Sequence, residues 1–154
     1  MYNYEEQWWA VGTFDRTAWE DQTVLPAPIA VSSGGKLYYH ERPASTADGG
    51  AYTSYATSGF IDLDDGTEYL FINRIIPDFY IASSTTQLQM TINTLTEPNA
   101  TQVTHGPYLV GQDTKYITFR ARGRQASIGI MSQNPGDHWR LGAVRVDQAR
   151  DGRR

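Results

Sequence analysis

The sequence predicts an all-β protein, and three observations point to that class. Segments rich in Val, Ile, Thr and Tyr alternate apolar and polar residues, which is the period of a half-buried strand. Turn-forming clusters separate these segments: SSGGK, DGG, DDG, EPNA, HGP, NPGD and DGRR. Tyrosine is abundant, with 10 copies, and helix signals are scarce. We therefore predict an antiparallel, jelly-roll-like β-sandwich, preceded by a short β segment like one blade of a propeller.

The first unit, residues 1–42, is the blade-like segment. It contains YNYEEQWWAVGTF with its paired aromatics, and GKLYYHE after a Gly-Gly turn. Pro26 and Pro28 lie between these stretches and favour a loop or an edge strand there. The segment is too short to bury its aromatic residues by itself. Residues 43–56 are small and polar, and we predict a linker.

The second unit, residues 57–154, has the strand spacing of a β-sandwich and an arginine-rich end. Asp65-Gly66 is a dipeptide that tight hairpin turns prefer. In TTQLQMTINTL, the alternation places Leu88, Met90 and Ile92 on one face. The predicted strands lie near 57–63, 68–76, 78–83, 86–95, 102–104, 115–122, 125–132 and 139–147.

Charge is divided unevenly along a chain whose net charge is −4. Residues 1–78 carry 12 acidic and 4 basic side chains, whereas residues 120–154 carry 8 Arg and 3 Asp. Such asymmetry favours contact with another molecule over catalysis. The chain also has 11 Arg and only 2 Lys. The planar, always-charged guanidinium of arginine suits interfaces.

Three of these arginines are in phase with one another. The alternation places Arg120 and Arg122 on the exposed side of strand 115–122, with Arg124 next in phase. Ile128 and Ile130 have the same parity as these arginines, and both sets cannot face the core unless the phase shifts. We therefore predict a bulge or a sharp bend at 123–125, with Gly123 as the position of the extra residue. Three interpretations stay open: a solvated strand face, a protein–protein contact, and phosphate binding. The last lacks the aromatic interleaving and the basic domain that nucleic-acid binding favours.

No enzymatic motif is present, so we predict no catalytic residue, no metal and no cofactor. The chain has no cysteine, no GxSxG, no HExxH and no phosphate-binding glycine loop. DLDDG at 62–66 lacks the spacing of an EF-hand calcium loop. The chain's histidines, His40, His105 and His138, are too far apart in the sequence to predict a zinc site. The chain has no run of about 18 apolar residues, so we predict no membrane span.

The segments RARGRQASIGIMS and HWRLGAVRVDQARDGRR resemble the carboxy-terminal region of bacteriophage tail nozzle or packaged-DNA-stabilisation type virion proteins. YNYEEQWWAVGTFDRTAW, GKLYYHE and SGFIDLDDG are similar to the stretch in which a propeller's last strands lead into the closing domain. The resemblance therefore covers nearly the whole chain, although proteins of that family are several times longer. The matching positions are Arg122-Gly123-Arg124-Gln125, Trp139-Arg140-Leu141-Gly142, Arg145, Asp147 and Asp151-Gly152-Arg153-Arg154.

The resemblance implies a non-enzymatic virion subunit that forms a ring, commonly sixfold, at the head-to-tail junction and helps to retain packaged DNA. Its partners would be copies of itself and portal, adaptor or other tail proteins, assembled in the bacterial cytoplasm. A contact with DNA stays open, but it is not predicted to be specific. Ring contacts join different surfaces of neighbouring subunits, which suits an acidic front half and an arginine-rich end. The expected contact residues are Arg120, Arg122, Arg124, Arg140 and Arg145, with Trp139 as a buried anchor.

Two alternatives within the phage particle stay open. One is a carbohydrate- or receptor-binding β-sandwich module, in which Trp8 and Trp9 would hold the sugar. The other is a capsid decoration or accessory virion protein. A soluble β domain of unrelated function is the third interpretation.

Overall fold

The computed structural model describes residues 2–5, 7–40, 42, 46, 48–63 and 67–153. All regular secondary structure in these ranges is β-strand, and every strand pairing is antiparallel. The predicted all-β class is therefore confirmed. The chain divides into two compact units, Met1–Ala44 and Ser45–Arg154. No helix in the described part of the chain has the length and apolar character that crossing a membrane requires.

The small unit consists of a hairpin and a three-stranded meander. The hairpin joins β1 (Tyr2–Asn3) to β2 (Trp8–Trp9). The meander joins β3 (Ala18–Glu20), β4 (Ile29–Val31) and β5 (Leu37–Tyr39), with β4 in the middle. The Gly-Gly turn that precedes β5 closes with a hydrogen bond of 3.0 Å from the Gly35 amide to the Ser32 carbonyl.

The large unit contains ten strands within the residues that the structure describes. They form a sheet in the order β11-β10-β13-β6 with β7 also paired to β13, a sheet in the order β12-β8-β15, and a ribbon of β9 and β14. The bounds are β6 (Ser54–Thr57), β7 (Ile61–Asp62), β8 (Glu68–Ile76), β9 (Phe79–Ile81), β10 (Leu88–Leu95), β11 (Val103–Val110), β12 (Ile117–Gly123), β13 (Gln125–Ser132), β14 (Trp139–Leu141) and β15 (Arg145–Arg153).

The core lies between the two larger sheets, as in a β-sandwich. The predicted face of β10 is confirmed, because Leu88, Met90 and Ile92 are completely buried. The facing sheet contributes buried side chains from β8 and β12, and the Phe119 ring lies 5.6 Å from that of Tyr108, centroid to centroid. Close-packed apolar contact of this kind is the main stabilising term in a unit of this size.

Several strand boundaries differ from the prediction. Residues 54–56 were expected in the linker but belong to β6, because they pair with β13. The predicted strand 102–104 continues to Val110, since an extra residue near Gly106 and Pro107 is accommodated opposite Met90 and Ile92. This strand is an edge strand, where a proline without an amide hydrogen is tolerated.

The predicted strand 139–147 is divided into β14 and β15. The chain leaves β14 at Gly142, whose amide donates to the Asp78 carbonyl at 2.7 Å, and a Cβ at Gly142 would collide with the Asp78 side chain. The terminal DGRR was predicted as a turn, but Asp151–Arg153 belong to β15, with Gly152 at a φ of 89° near a register shift. The predicted Asp65-Gly66 hairpin lies outside the described residues.

Candidate subunit interface

The outer surface of the sheet β12-β8-β15 carries several of the predicted contact residues. Burial alternates along β12 as the sequence predicts. Ile117, Phe119 and Ala121 are buried, whereas Thr118, Arg120 and Arg122 are exposed. The odd-numbered residues of β12 therefore pack on the core, and its arginines face away from the core.

Arg122 is held by two partners on that surface. Its Nε lies 2.7 Å from Asp151 Oδ2, and its Nη2 donates to the Asp151 carbonyl at 3.1 Å. Its guanidinium also lies over the Tyr69 ring, 4.3 Å from the centroid. Because Arg122 and Asp151 belong to the strands that flank β8, the side chain spans the middle strand and links both edges of the sheet.

A second ion pair, not anticipated from the sequence, lies on the same surface. Arg74 and Asp147 are cross-strand neighbours, and Arg74 Nε donates to Asp147 Oδ2 at 2.6 Å. The guanidinium of Arg74 is also 5.6 Å from the Tyr116 ring centroid. Arg145 pairs with Ile76, two residues beyond Arg74, and so points to the same side. We call this surface the arginine face; its charged residues are Arg74, Arg120, Arg122, Arg145, Asp147 and Asp151.

The arginine face keeps an excess of two positive charges, since four arginines accompany two aspartates. Among the described residues, no hydrogen bond or ion pair joins Arg120 or Arg145 to another side chain. Both side chains are exposed. They are therefore the two arginines of this face with charge available to a partner, and half of the face is already neutralised within the chain.

The structure places Arg124 elsewhere, at a bend between the two sheets. Gly123 ends β12, and β13 begins at Gln125 in the other sheet. The Arg124 amide donates to the Leu95 carbonyl at 2.8 Å, which holds the bend to the end of β10. A Cβ at Gly123 would lie 3.0 Å from that carbonyl oxygen, so the close approach favours glycine.

The sharp bend predicted at 123–125 is therefore present, and it produces the predicted change of phase. The bulge predicted at Gly123 is wrong, because Gly123 pairs in register with Leu70. The irregularity instead lies between Thr118 and Ala121, opposite β8. Arg124 is half-buried and does not share the surface of Arg120.

Trp139 and Arg140 lie on the β9–β14 ribbon. The Trp139 indole N–H donates to Ser54 Oγ at 3.0 Å, and its ring packs edge-on against Phe79 and the core of the same unit. Trp139 is thus half-buried within its own chain. Arg140 is exposed and lies 5.7 Å from the centroid of the Tyr80 ring. Five of the six predicted contact residues are in strands, but on three different elements.

The small unit exposes most of its large apolar residues. Its buried residues, in the part that the structure describes, are Ala27, Pro28, Ala30 and Ser32. Ten larger apolar side chains of this unit are exposed: Tyr2, Tyr4, Trp9, Val11, Phe14, Trp19, Val24, Leu25, Leu37 and Tyr39. Trp9, one of the two predicted sugar-binding residues, is 74% exposed and packs against Tyr2 at 4.8 Å between centroids. The Trp8 side chain lies outside the described part.

In the described ranges, no group of three or more His, Asp or Glu residues is placed to hold a metal ion. Comparison of the sequence with known proteins gives no identification: no protein-family model matches the chain, and no curated protein matches it.

Proposed function

We propose that this chain is a non-enzymatic structural subunit of a bacteriophage particle. It assembles with copies of itself into a ring at the head-to-tail junction, where it helps to retain packaged DNA. The resemblance of the RGRQ, WRLG and DGRR motifs supplies the class of particle and the sixfold ring. The observation that supports assembly is the exposure of ten large apolar side chains on the small unit.

The energetic argument concerns the small unit. Burial of apolar surface contributes roughly 25 cal/mol per Å². A segment that buries Ala, Pro and Ser while it exposes Trp, Phe, Leu and Val gains little from this term. Contact of these exposed side chains with another surface would supply the missing burial. Exposed apolar patches are typical of protein interaction sites.

Charge supports contacts between unlike surfaces. The small unit, Met1–Ala44, carries a net charge of −3, from 6 acidic and 3 basic side chains, and the arginine face has an excess of two positive charges. A ring requires one surface of each subunit to meet a different surface of its neighbour. Opposite charge on two such surfaces favours that pairing and speeds encounter.

The test is the location of the chain during phage growth. Particles that carry this gene are purified on a density gradient, and their proteins are identified by peptide mass spectrometry. We expect the chain in DNA-filled particles, at the junction in a reconstruction, and DNA loss from particles made without it. Recovery of the chain only from the soluble fraction would contradict the proposal, and density on the head surface would favour the decoration alternative.

A further inference from the structure

A groove of about 360 Å³ lies beside Trp139 in the large unit. Its lining residues are Tyr52, Ser54, Asp137, His138 and Trp139. The volume is within the range of about 300–1,000 Å³ that small-ligand sites occupy. The groove shares no strand with the arginine face: Ser54 begins β6, Tyr52 precedes it, and the other lining residues lie in β14 and just before it.

The walls of this groove are fixed from behind. The Trp139 ring is oriented by its hydrogen bond to Ser54 and by its edge-on contact with Phe79. Asp137 Oδ2 accepts hydrogen bonds from the Ser132 hydroxyl at 2.6 Å and from the Asn134 amide at 3.2 Å. The His138 carbonyl accepts from the Ala82 amide at 3.0 Å. Because the Trp139 and Asp137 side chains are held in this way, they lose little conformational freedom when a ligand binds.

The chemistry of the lining selects among ligand classes. Tyr52 and Trp139 offer flat apolar surface with a polar edge. A phenol, a hydroxyl, a carboxylate and an imidazole supply both donors and acceptors in one small space. A sugar matches both properties, since its ring has an apolar C–H face and its hydroxyl groups both donate and accept. Among the described residues that line the groove none is lysine or arginine, which disfavours anionic ligands such as nucleic acid or acidic sugars.

We propose that this groove binds a neutral saccharide, with a sugar ring against Tyr52 and Trp139 and its hydroxyl groups on Asp137 and His138. This site differs from the Trp8–Trp9 pair that the sequence suggests. It lies in the large unit and not in the small one, and its Trp139 packs against the core. The proposal goes beyond assembly: it gives a structural subunit a contact with surface glycans.

The experiment uses the full chain, a printed array of neutral glycans, and titration calorimetry with cellohexaose, mannohexaose and chitohexaose. Three groove variants are compared: Tyr52→Ala, His138→Ala and Asp137→Asn. Tyr52 and His138 are exposed, so their replacement leaves the core intact. The matched controls are Tyr80→Ala, at an exposed tyrosine of β9 that is not among the lining residues, and Trp9→Ala. Tetramethylammonium chloride serves as a cationic probe, because aromatic and acidic groups together also attract cations.

We expect binding of at least one neutral glycan, weakened roughly tenfold or more by Tyr52→Ala and by Asp137→Asn, and unchanged in both controls. Absence of binding to every glycan, equal binding by the groove variants, loss in Trp9→Ala, or binding of tetramethylammonium alone would each overturn the proposal. Assembly, measured separately by native mass spectrometry, stays unchanged in Tyr52→Ala. Failure of the saccharide site is thereby distinguished from failure of the ring.

Discussion

Arg122 Nε lies 2.7 Å from Asp151 Oδ2, and the pair bridges the two edge strands of a sheet across the Tyr69 ring of the middle strand. Because β15 is the last strand of the large unit, this contact and the Arg74–Asp147 pair hold it to β8 from the solvent side. Arg74 and Arg122 carry charge that could contact another molecule, but both form ion pairs that stabilise the chain's own fold.

We predict a small energetic contribution from the Arg122–Asp151 pair. The two side chains are 52% and 48% exposed, and exposed ion pairs typically contribute about 0–1 kcal/mol. Arg122→Ala, Asp151→Ala and the double variant, measured by urea unfolding, should give a coupling energy in that range that decreases at high salt. A coupling energy above about 3 kcal/mol, or one that salt does not change, would contradict this prediction.

Charge reversal separates Arg120 from the paired arginines. Arg120→Glu removes a charge with no partner among the described residues, so the melting temperature should stay within a degree or two of the wild type. Assembly, followed by sedimentation velocity, should weaken and become less dependent on salt. Lys115→Glu is the control, since it makes the same change of charge at an exposed position outside the arginine face. Equal effects of both variants would rule out a specific role for Arg120.

Gly123→Ala tests the close approach at the bend between the sheets. The new methyl group would lie 3.0 Å from the Leu95 carbonyl oxygen and from Thr94 Cβ, and both belong to a well-packed strand. We expect a loss of about 1–3 kcal/mol in the free energy of unfolding. Gly59→Ala is the control, because a Cβ there meets no atom within 4 Å. A neutral Gly123→Ala, or a Gly59→Ala that is equally destabilising, would show that the bend does not depend on this contact.

The turn before β14 should contribute stability that depends on pH. Burial raises the pKa of Asp137, but hydrogen bonds from Ser132, Thr86 and Asn134 together outweigh it and leave the pKa below the usual 3.8. A carboxyl whose pKa is lowered by folding stabilises the fold above the unfolded pKa, and this contribution is lost as the pH falls through the folded pKa. The contribution is therefore fully present at neutral pH.

Ser132→Ala removes the buried hydroxyl that donates to this carboxylate. We expect a loss of about 1–3 kcal/mol at pH 7, since hydrogen bonds to charged groups are the stronger ones. The difference from the wild type should shrink as the pH falls below 3.8, in urea unfolding measured over that range. Ser84→Ala, at an exposed position in the same unit, should show no such dependence. A difference that is constant with pH would exclude ionised Asp137 as its cause.

Local pattern was sufficient for much of the fold. The alternation at Leu88, Met90 and Ile92 predicts the buried face of β10, and the change of parity between Arg122 and Ile130 predicts the bend at 123–125. Both are properties of consecutive residues. The length of β11 was missed because Gly106-Pro107 reads as a stop, whereas an edge strand accommodates it with an extra residue.

Contacts between distant residues could not be read from the sequence. Asp151 partners Arg122 only because β15 and β12 both flank β8, and alternation does not specify strand order. The groove unites Tyr52 and Ser54 with residues 137–139, and the Trp139–Ser54 hydrogen bond joins positions 85 residues apart. The abundance of arginine indicated an interface, but the aspartates that neutralise part of it were visible only once the sheet was assembled.

Native mass spectrometry of the purified full chain over a range of concentrations tests ring assembly most directly. We predict a single closed oligomer, of six subunits if the resemblance holds, that dissociates when the exposed Val24 and Leu37 of the small unit are replaced by Ser and Gln. Their replacement should leave the melting temperature unchanged at concentrations too low for assembly, where both chains are monomers. A chain that stays monomeric at every concentration, or that forms an open-ended series of oligomers, would contradict assembly into a closed ring.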